Sequence, residues 1–394
     1  MLIKKIFEET YRSKITCYLT SLASLFILVG MVVTVEKPLV YDEPIYQQTV
    51  ETLKQYGFSI SFLNNLKVTT GPLYTILHNS LDPLTNLDVP GVRLVNVTLL
   101  CLTIITTSGI GYLNKLSSPL LSALCMISIP MTWVMSGMAL TEMPAIFFMS
   151  VALFLLFWST SPSNREETDN QNVSFVSPRQ LVIAILGGII MGIAITGRQP
   201  LLVTLAAVPI LAINSRSRMQ ALCFLLSAAI LPIILFSIWG GLTPPLWQET
   251  MASYGDFSIK HLILAYCYAG GISLILAPKF FSINWKPTVI IVAVSILING
   301  IFSWIEFVPM RTLSNQIIPA TIFPIYTKIV SGLLVSLGVL YIRSVFKNLF
   351  ENRKNLNYLF LGVATLFICF TTLKVTVQFS SRYVAQALPL FTLI

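Results

Sequence analysis

Apolar runs recur from residue 15 to the end of the chain, separated by short polar breaks. Many approach the roughly 20 residues that a helix needs to cross a bilayer. In hydrocarbon a backbone can satisfy its own polar groups only as a helix or a closed barrel, and runs this long fit helices. Charged residues make up 10% of the chain, against about 25% in a soluble domain. The sequence therefore predicts an all-α polytopic membrane protein, a single domain over 1–394 with about 11–12 transmembrane helices of ordinary length. The first run is too long for a signal peptide and has no small-residue cleavage site, so it is expected to stay as a span.

The basic residues orient these spans. Lys4, Lys5, Arg12 and Lys14 precede the first run at 15–36, which places the N-terminus in the cytoplasm. Further runs follow at 91–113, 118–137 and 140–158, then an overlong stretch at 180–213 that Gly197-Arg198-Gln199-Pro200 divides in two. Others lie at 220–239, 288–305 and 320–342, with a shortened one after Arg382. Residues 37–91 then form the first exoplasmic loop. The 159–179 segment, with Arg165, Glu166, Glu167, Asp169 and Arg179, forms a cytoplasmic linker. The net charge of +9 sits in short clusters between spans, as orientation signals do, and implies membrane lipids rather than nucleic acid as the partner. The location is an integral, multi-pass one: the plasma (inner) membrane in a prokaryote, the endoplasmic reticulum membrane in a eukaryote.

Within the first loop, Tyr41-Asp42-Glu43-Pro44 sets two adjacent acids just beyond the first span. Pro44 suits a first helical position. Ile45, Thr49, Leu53 and Tyr56 recur at helical spacing before Gly57, predicting an amphipathic helix over 44–56 in the membrane interface. Asp42 and Glu43 would stand at its N-terminus, where the dipole favours negative charge. Two readings stay open: a helix cap, or a carboxylate that does chemistry where a lipid-linked reactant reaches the surface.

Arg198, Arg311, Lys374 and Arg382 each fall where a span meets the outer face. They are either snorkelling anchors or, the arginines above all, partners for a phosphate, which a guanidinium grips through two parallel hydrogen bonds. Glu142, in Leu140-Thr141-Glu142, is an acid at the top of a span, where ionisable groups are costly and usually functional. It is a candidate for substrate binding or for pairing with an arginine. His78 and His261 have no second ligand at metal spacing, and the six cysteines lie in apolar segments without such spacing, so neither a metal nor a cofactor is expected. The sequons at Asn96 and Asn172 read as accidental.

Tyr41-Asp42-Glu43, Thr69-Thr70-Gly71-Pro72-Leu73-Tyr74, Val92-Arg93-Leu94-Val95-Asn96, Leu140-Thr141-Glu142, Gly197-Arg198-Gln199 and Ser381-Arg382-Tyr383 occur in an order that resembles the Alg10-type α-1,2-glucosyltransferases. Those belong to the GT-C superfamily of membrane glycosyltransferases, which includes protein O-mannosyltransferases and lipid A aminoarabinose transferases. The resemblance implies a GT-C-like bundle and transfer of a sugar, with inversion, from a dolichyl- or polyprenyl-phosphate donor to a glycan, lipid or protein acceptor on the exoplasmic face. By carry-over Asp42 is the general base and Glu43 its catalytic neighbour. Arg198 and Arg382 bind the donor phosphate, with Arg311 and Lys374 as further candidates. Arg93, Gln199, Tyr383 and Tyr74 fall in matching motifs as substrate-binding or structural residues. Pro44 and the Gly71-Pro72 order depart from the family pattern. The rival class is a secondary transporter or flippase. Its usual signs are internal repeats and charges near the bilayer centre, whereas the charges here gather at span ends.

Overall fold

The computed structural model describes residues 2–34, 37–161, 177–215, 217–253, 255, 257–281, 284–307 and 311–394, with the backbone alone for 2–13, 312 and 313. Among them every regular element is helical. Nine helices are long and apolar enough to span a membrane: Lys14–Thr34, Gly91–Leu113, Glu142–Thr160, Pro178–Gly197, Arg218–Trp239, Ile259–Leu276, Trp285–Phe302, Phe323–Glu351 and Leu356–Lys374. A bent pair brings the number to 10. The protein is thus a multi-pass integral membrane protein. Most of the expected 159–179 linker, including Arg165, Glu166, Glu167, Asp169 and Asn172, lies outside the described residues.

Three apolar stretches account for the difference from the eleven or twelve expected spans. At 118–137, Pro119–Ser128 and Pro130–Gly137 meet at 82°. A proline disfavours helical geometry in the residue before it, and Ile129 is extended, with φ −90° and ψ 118°. The stretch after Arg198 is a short helix, Gln199–Ala212. Its first part, Gln199–Ala207, is wound as a 3-10 helix, which rises about 2.0 Å per residue rather than 1.5. That winding carries a short segment roughly 25 Å, most of a hydrocarbon core of about 30 Å. The stretch after Arg382 folds as far as residue 394 into two four-residue turns, Arg382–Ala385 and Leu388–Phe391, buried against Leu356–Phe370.

Small residues let the central helices close up, as is common where packing rather than hydrophobicity holds spans together. Gly188 and Gly192 lie one turn apart on Pro178–Gly197 and face Arg218–Trp239. A Cβ on Gly188 would sit 2.4 Å from the Phe224 carbonyl oxygen. By contrast Lys14–Thr34 and Trp285–Phe302 are each only 11% buried, which puts them at the rim of the bundle.

In the first loop, Glu43–Tyr56 is a helix of 14 residues, as the pattern predicts. Its buried face is Tyr46, Thr49, Val50 and Leu53, while Ile45 and Tyr56 are exposed. The covering partner explains the rotation. Leu73–Ser80 packs alongside, with Thr49 and Thr75 hydroxyls 2.6 Å apart and the Tyr46 and Tyr74 rings 5.3 Å apart.

Candidate active site

The chain reaches the site through a tight turn after the first span. Tyr41 has φ 55°, a left-handed conformation that an aromatic residue seldom adopts. It sends the side chains of Asp42 and Glu43 in different directions. The Asp42 carbonyl accepts the first helical bonds, from Ile45 N and Tyr46 N at 3.1 Å each. Asp42 thus occupies the N-cap position, as one of the two readings has it, but its carboxylate makes no capping bond. Instead Asp42 Oδ2 accepts from Arg382 Nη2 at 2.9 Å, with the two side chains 38% and 25% exposed.

Glu43 points inward and is fully buried. Arg93 grips it with two parallel bonds, Nε to Oε1 at 2.9 Å and Nη2 to Oε2 at 2.8 Å. Val40 N donates to Oε2 at 2.8 Å and Ala139 N to Oε1 at 2.7 Å. Burial alone would push this carboxyl up, yet Arg93 and the two backbone N–H groups hold it below the ordinary glutamate value. The rest of the Arg93 guanidinium donates to the carbonyls of Lys37 and Pro38. The first loop, the second span and the 138–140 turn are thereby tied at one carboxylate. That turn is also held by the Asn96 amide, which donates to the carbonyls of Met138 at 2.7 Å and Leu140 at 2.9 Å. Asn96 is fully buried.

A second ion pair lies beside the first. Glu142, fully buried at the start of Glu142–Thr160, accepts from Arg198 Nη2 at 2.6 Å through Oε1. The same oxygen is 3.7 Å from Arg382 Nη1. Arg198 also donates to the Thr141 hydroxyl at 3.3 Å, and its guanidinium lies 5.9 Å from the centre of the Tyr383 ring. Next to Arg198, Gln199 Nε2 donates to the Thr69 carbonyl at 2.9 Å. That bond fixes the Thr69–Pro72 turn against the end of Pro178–Gly197. The approach requires glycine: a Cβ on Gly71 would lie 1.7 Å from the Thr196 carbonyl oxygen.

Asp42, Arg382, Glu142 and Arg198 thus form one chain of alternating charge. Glu142 Oε2 and Arg198 Nε, both buried, have no hydrogen-bond partner among the described residues. Tyr46 lines the same place, its phenol pushed up to about 12 by burial and by Glu142, against the opposing pull of Arg198. Tyr74 is buried behind it and stacks on His78, with ring centres 4.1 Å apart. His78 is pushed down to about 4 by burial, and neither ring nitrogen has a partner among the described residues.

Arg311 and Lys374 are not brought to this cluster. Among the described residues no hydrogen bond or ion pair joins either to it, and Lys374 sits 4.6 Å over the Phe257 ring. No three His, Cys, Asp or Glu side chains among the described residues come together as a metal site. Tyr46 and Thr141 had no separate signal in the sequence. Thr141 adjoins Glu142, and Tyr46 lies one helical turn beyond Asp42, so helical spacing from the two acids would have found both.

A sequence model of the dolichyl-phosphate-mannose-protein mannosyltransferase family matches residues 70–288. The match takes in Tyr74, Arg93, Glu142, Arg198 and Gln199, while Asp42, Glu43 and Arg382 lie outside it. No curated protein matches the chain. Among solved structures, ArnT from Cupriavidus metallidurans bound to undecaprenyl phosphate is similar at a TM-score of 0.45 and 11% identity, covering 96% of this chain and 76% of that one. The Archaeoglobus fulgidus oligosaccharyltransferase tethered with an acceptor peptide is similar at a TM-score of 0.38 and 12% identity, covering 95% of this chain and 55% of that one.

Proposed function

The chain belongs to the dolichyl-phosphate-mannose-protein mannosyltransferase family, and from that premise we propose that it moves a sugar from a polyprenyl-phosphate donor to an acceptor hydroxyl at the exoplasmic membrane surface. The observation that carries this reading is the Asp42–Arg382–Glu142–Arg198 chain of charges, at the surface end of the spans and partly open to solvent through Asp42. A single displacement needs a base for the acceptor proton and positive charge for the departing phosphate. Asp42 supplies the first, Arg382 and Arg198 the second.

In this mechanism the acceptor oxygen attacks the anomeric carbon as its proton passes to an Asp42 carboxylate oxygen. The new C–O bond forms while the bond to the phosphate oxygen breaks, inverting the centre, and polyprenyl phosphate departs with the electron pair. Guanidinium groups held beside the departing phosphate stabilise its growing negative charge. Glu43, with both oxygens filled by donors, serves as the strut that sets Asp42 at the surface. Its own proton chemistry is not part of the reaction. Arg311 and Lys374, which stand apart, are given no donor contact. Charges at span ends, rather than at mid-bilayer, favour this enzyme over a transporter.

The Alg10-like order of landmarks favours glucose as the transferred sugar, with a glycan, lipid or protein hydroxyl as acceptor. The test is to incubate purified protein with polyprenyl-phosphate glucose, mannose and aminoarabinose and to measure polyprenyl phosphate released and acceptor glycosylated. Asp42→Asn, nearly isosteric, is expected to lower transfer by about 10²–10⁴-fold, the usual worth of a general base, with insertion unchanged. Near-normal turnover by that variant would overturn the assignment of the base.

A further inference from the structure

Arg382 makes more than one contact in this site, and its partners differ in how firmly they hold it. Nη2 donates to Asp42 at 2.9 Å, Nη1 faces Glu142 at 3.7 Å, and Nε donates to the Ser380 hydroxyl at 3.2 Å. Arg198 donates through Nη2 to Glu142 and through Nη1 to Thr141. Two guanidinium groups and two carboxylates leave the cluster formally neutral, so an arriving phosphodiester meets no surplus positive charge. One carboxylate has to give way. Glu142 is fully buried, and parting a buried pair strands a desolvated charge, which is strongly unfavourable. Asp42 and Arg382 are 38% and 25% exposed, so water reaches this pair and it parts more readily than the buried one.

Resting on the reading of Asp42 as base and Arg382 as phosphate ligand, we propose that the donor phosphate displaces Asp42 from Arg382, so that binding the donor is what frees the base. While Asp42 accepts from Arg382, one of its oxygens is occupied and held toward the guanidinium. Once the phosphate takes that place, the carboxylate turns to the acceptor hydroxyl. Glu142 keeps Arg382 within reach of both anions. The donor then binds first, and the product phosphate leaves as Asp42 returns.

The test is equilibrium binding of undecaprenyl phosphate, without sugar or acceptor, to purified protein in detergent. Asp42→Asn is expected to bind 3–10-fold more tightly, about what losing a half-exposed competitor is worth, and Arg382→Gln at least ten-fold more weakly. The double variant separates exchange from simple charge repulsion. If Asp42 competes for Arg382, the gain from Asp42→Asn disappears when Arg382 is already Gln. If it merely repels phosphate, the gain persists, and the proposal falls. Unchanged or weaker binding by Asp42→Asn also overturns it. Because binding is read apart from transfer, an inactive Asp42→Asn protein with unchanged affinity would leave the base standing and remove the exchange. Normal transfer by that variant would remove both.

Discussion

Replacing Glu43 with glutamine deletes a charge that Arg93 and two backbone N–H groups are built around. Leaving the Arg93 guanidinium buried without its anion is expected to cost about 3–5 kcal/mol, seen as a lower melting temperature in detergent. The pH dependence has a definite sign. The folded carboxyl lies below its unfolded value near 4.5, so its stabilisation is complete above that value and is lost as pH falls through the lowered folded one. A melting series from neutral pH to below 4.5 should therefore show the gap between wild type and Glu43→Gln narrowing on the acid side; a constant gap would speak against the clamp. At this scale the sequence told only part of the story. It showed two acids beside a proline, and neighbouring letters look alike. What separates them is the left-handed turn at Tyr41 and partners 50 residues away for Glu43 and 340 away for Asp42. Neither the turn nor the distant partners can be read from spacing.

Elements were more legible, because hydrophobic length is a local property. The second span runs over Gly91–Leu113 as the apolar pattern predicts, and the first-loop helix starts beside Pro44. The misread stretches share a cause. Proline in an apolar run leaves hydropathy unchanged while removing a backbone donor, so the bend at Pro130 and the tight winding after Pro200 left no trace in polarity. Glycines give the element-scale prediction. Gly71→Ala would drive a methyl group into the Thr196 carbonyl and so push the Thr69–Pro72 turn off the helix carrying Arg198. A loss of about 1–3 kcal/mol, typical of overpacking, is expected, with transfer activity falling alongside. Gly271→Ala is the matched control, since a Cβ there meets nothing within 4 Å. In a helix interior that exchange should be neutral or stabilising by roughly 0.5–1 kcal/mol. Equal melting temperatures for the two variants would refute the close approach.

For the molecule as a whole, the sequence supplied the class and the orientation argument, and the spans agree with the class. Orientation has its own measurement. With the six free cysteines replaced, single cysteines at Lys37 and Arg353, both exposed, should react with an impermeant thiol reagent from opposite sides of sealed vesicles. Residue 37 should label on the exoplasmic side. Labelling of residue 37 from the cytoplasmic side would move the site to the cytoplasm, and labelling of both from one side would overturn the alternation of the spans between them.

The 340-residue separation of Asp42 and Arg382 also has a meaning in time. A chain made from its N-terminus meets its partners in sequence order. The Glu43–Arg93 strut can close once the second span has begun, 50 residues on, and the Glu142–Arg198 pair 56 residues after its acid. Arg382 arrives only after the span Leu356–Lys374 has been made. The Glu43–Arg93 and Glu142–Arg198 pairs can therefore close long before Asp42 meets its cation. The Asp42–Arg382 contact is in this sense a late one, and its formation reports that the spans between the two residues have assembled.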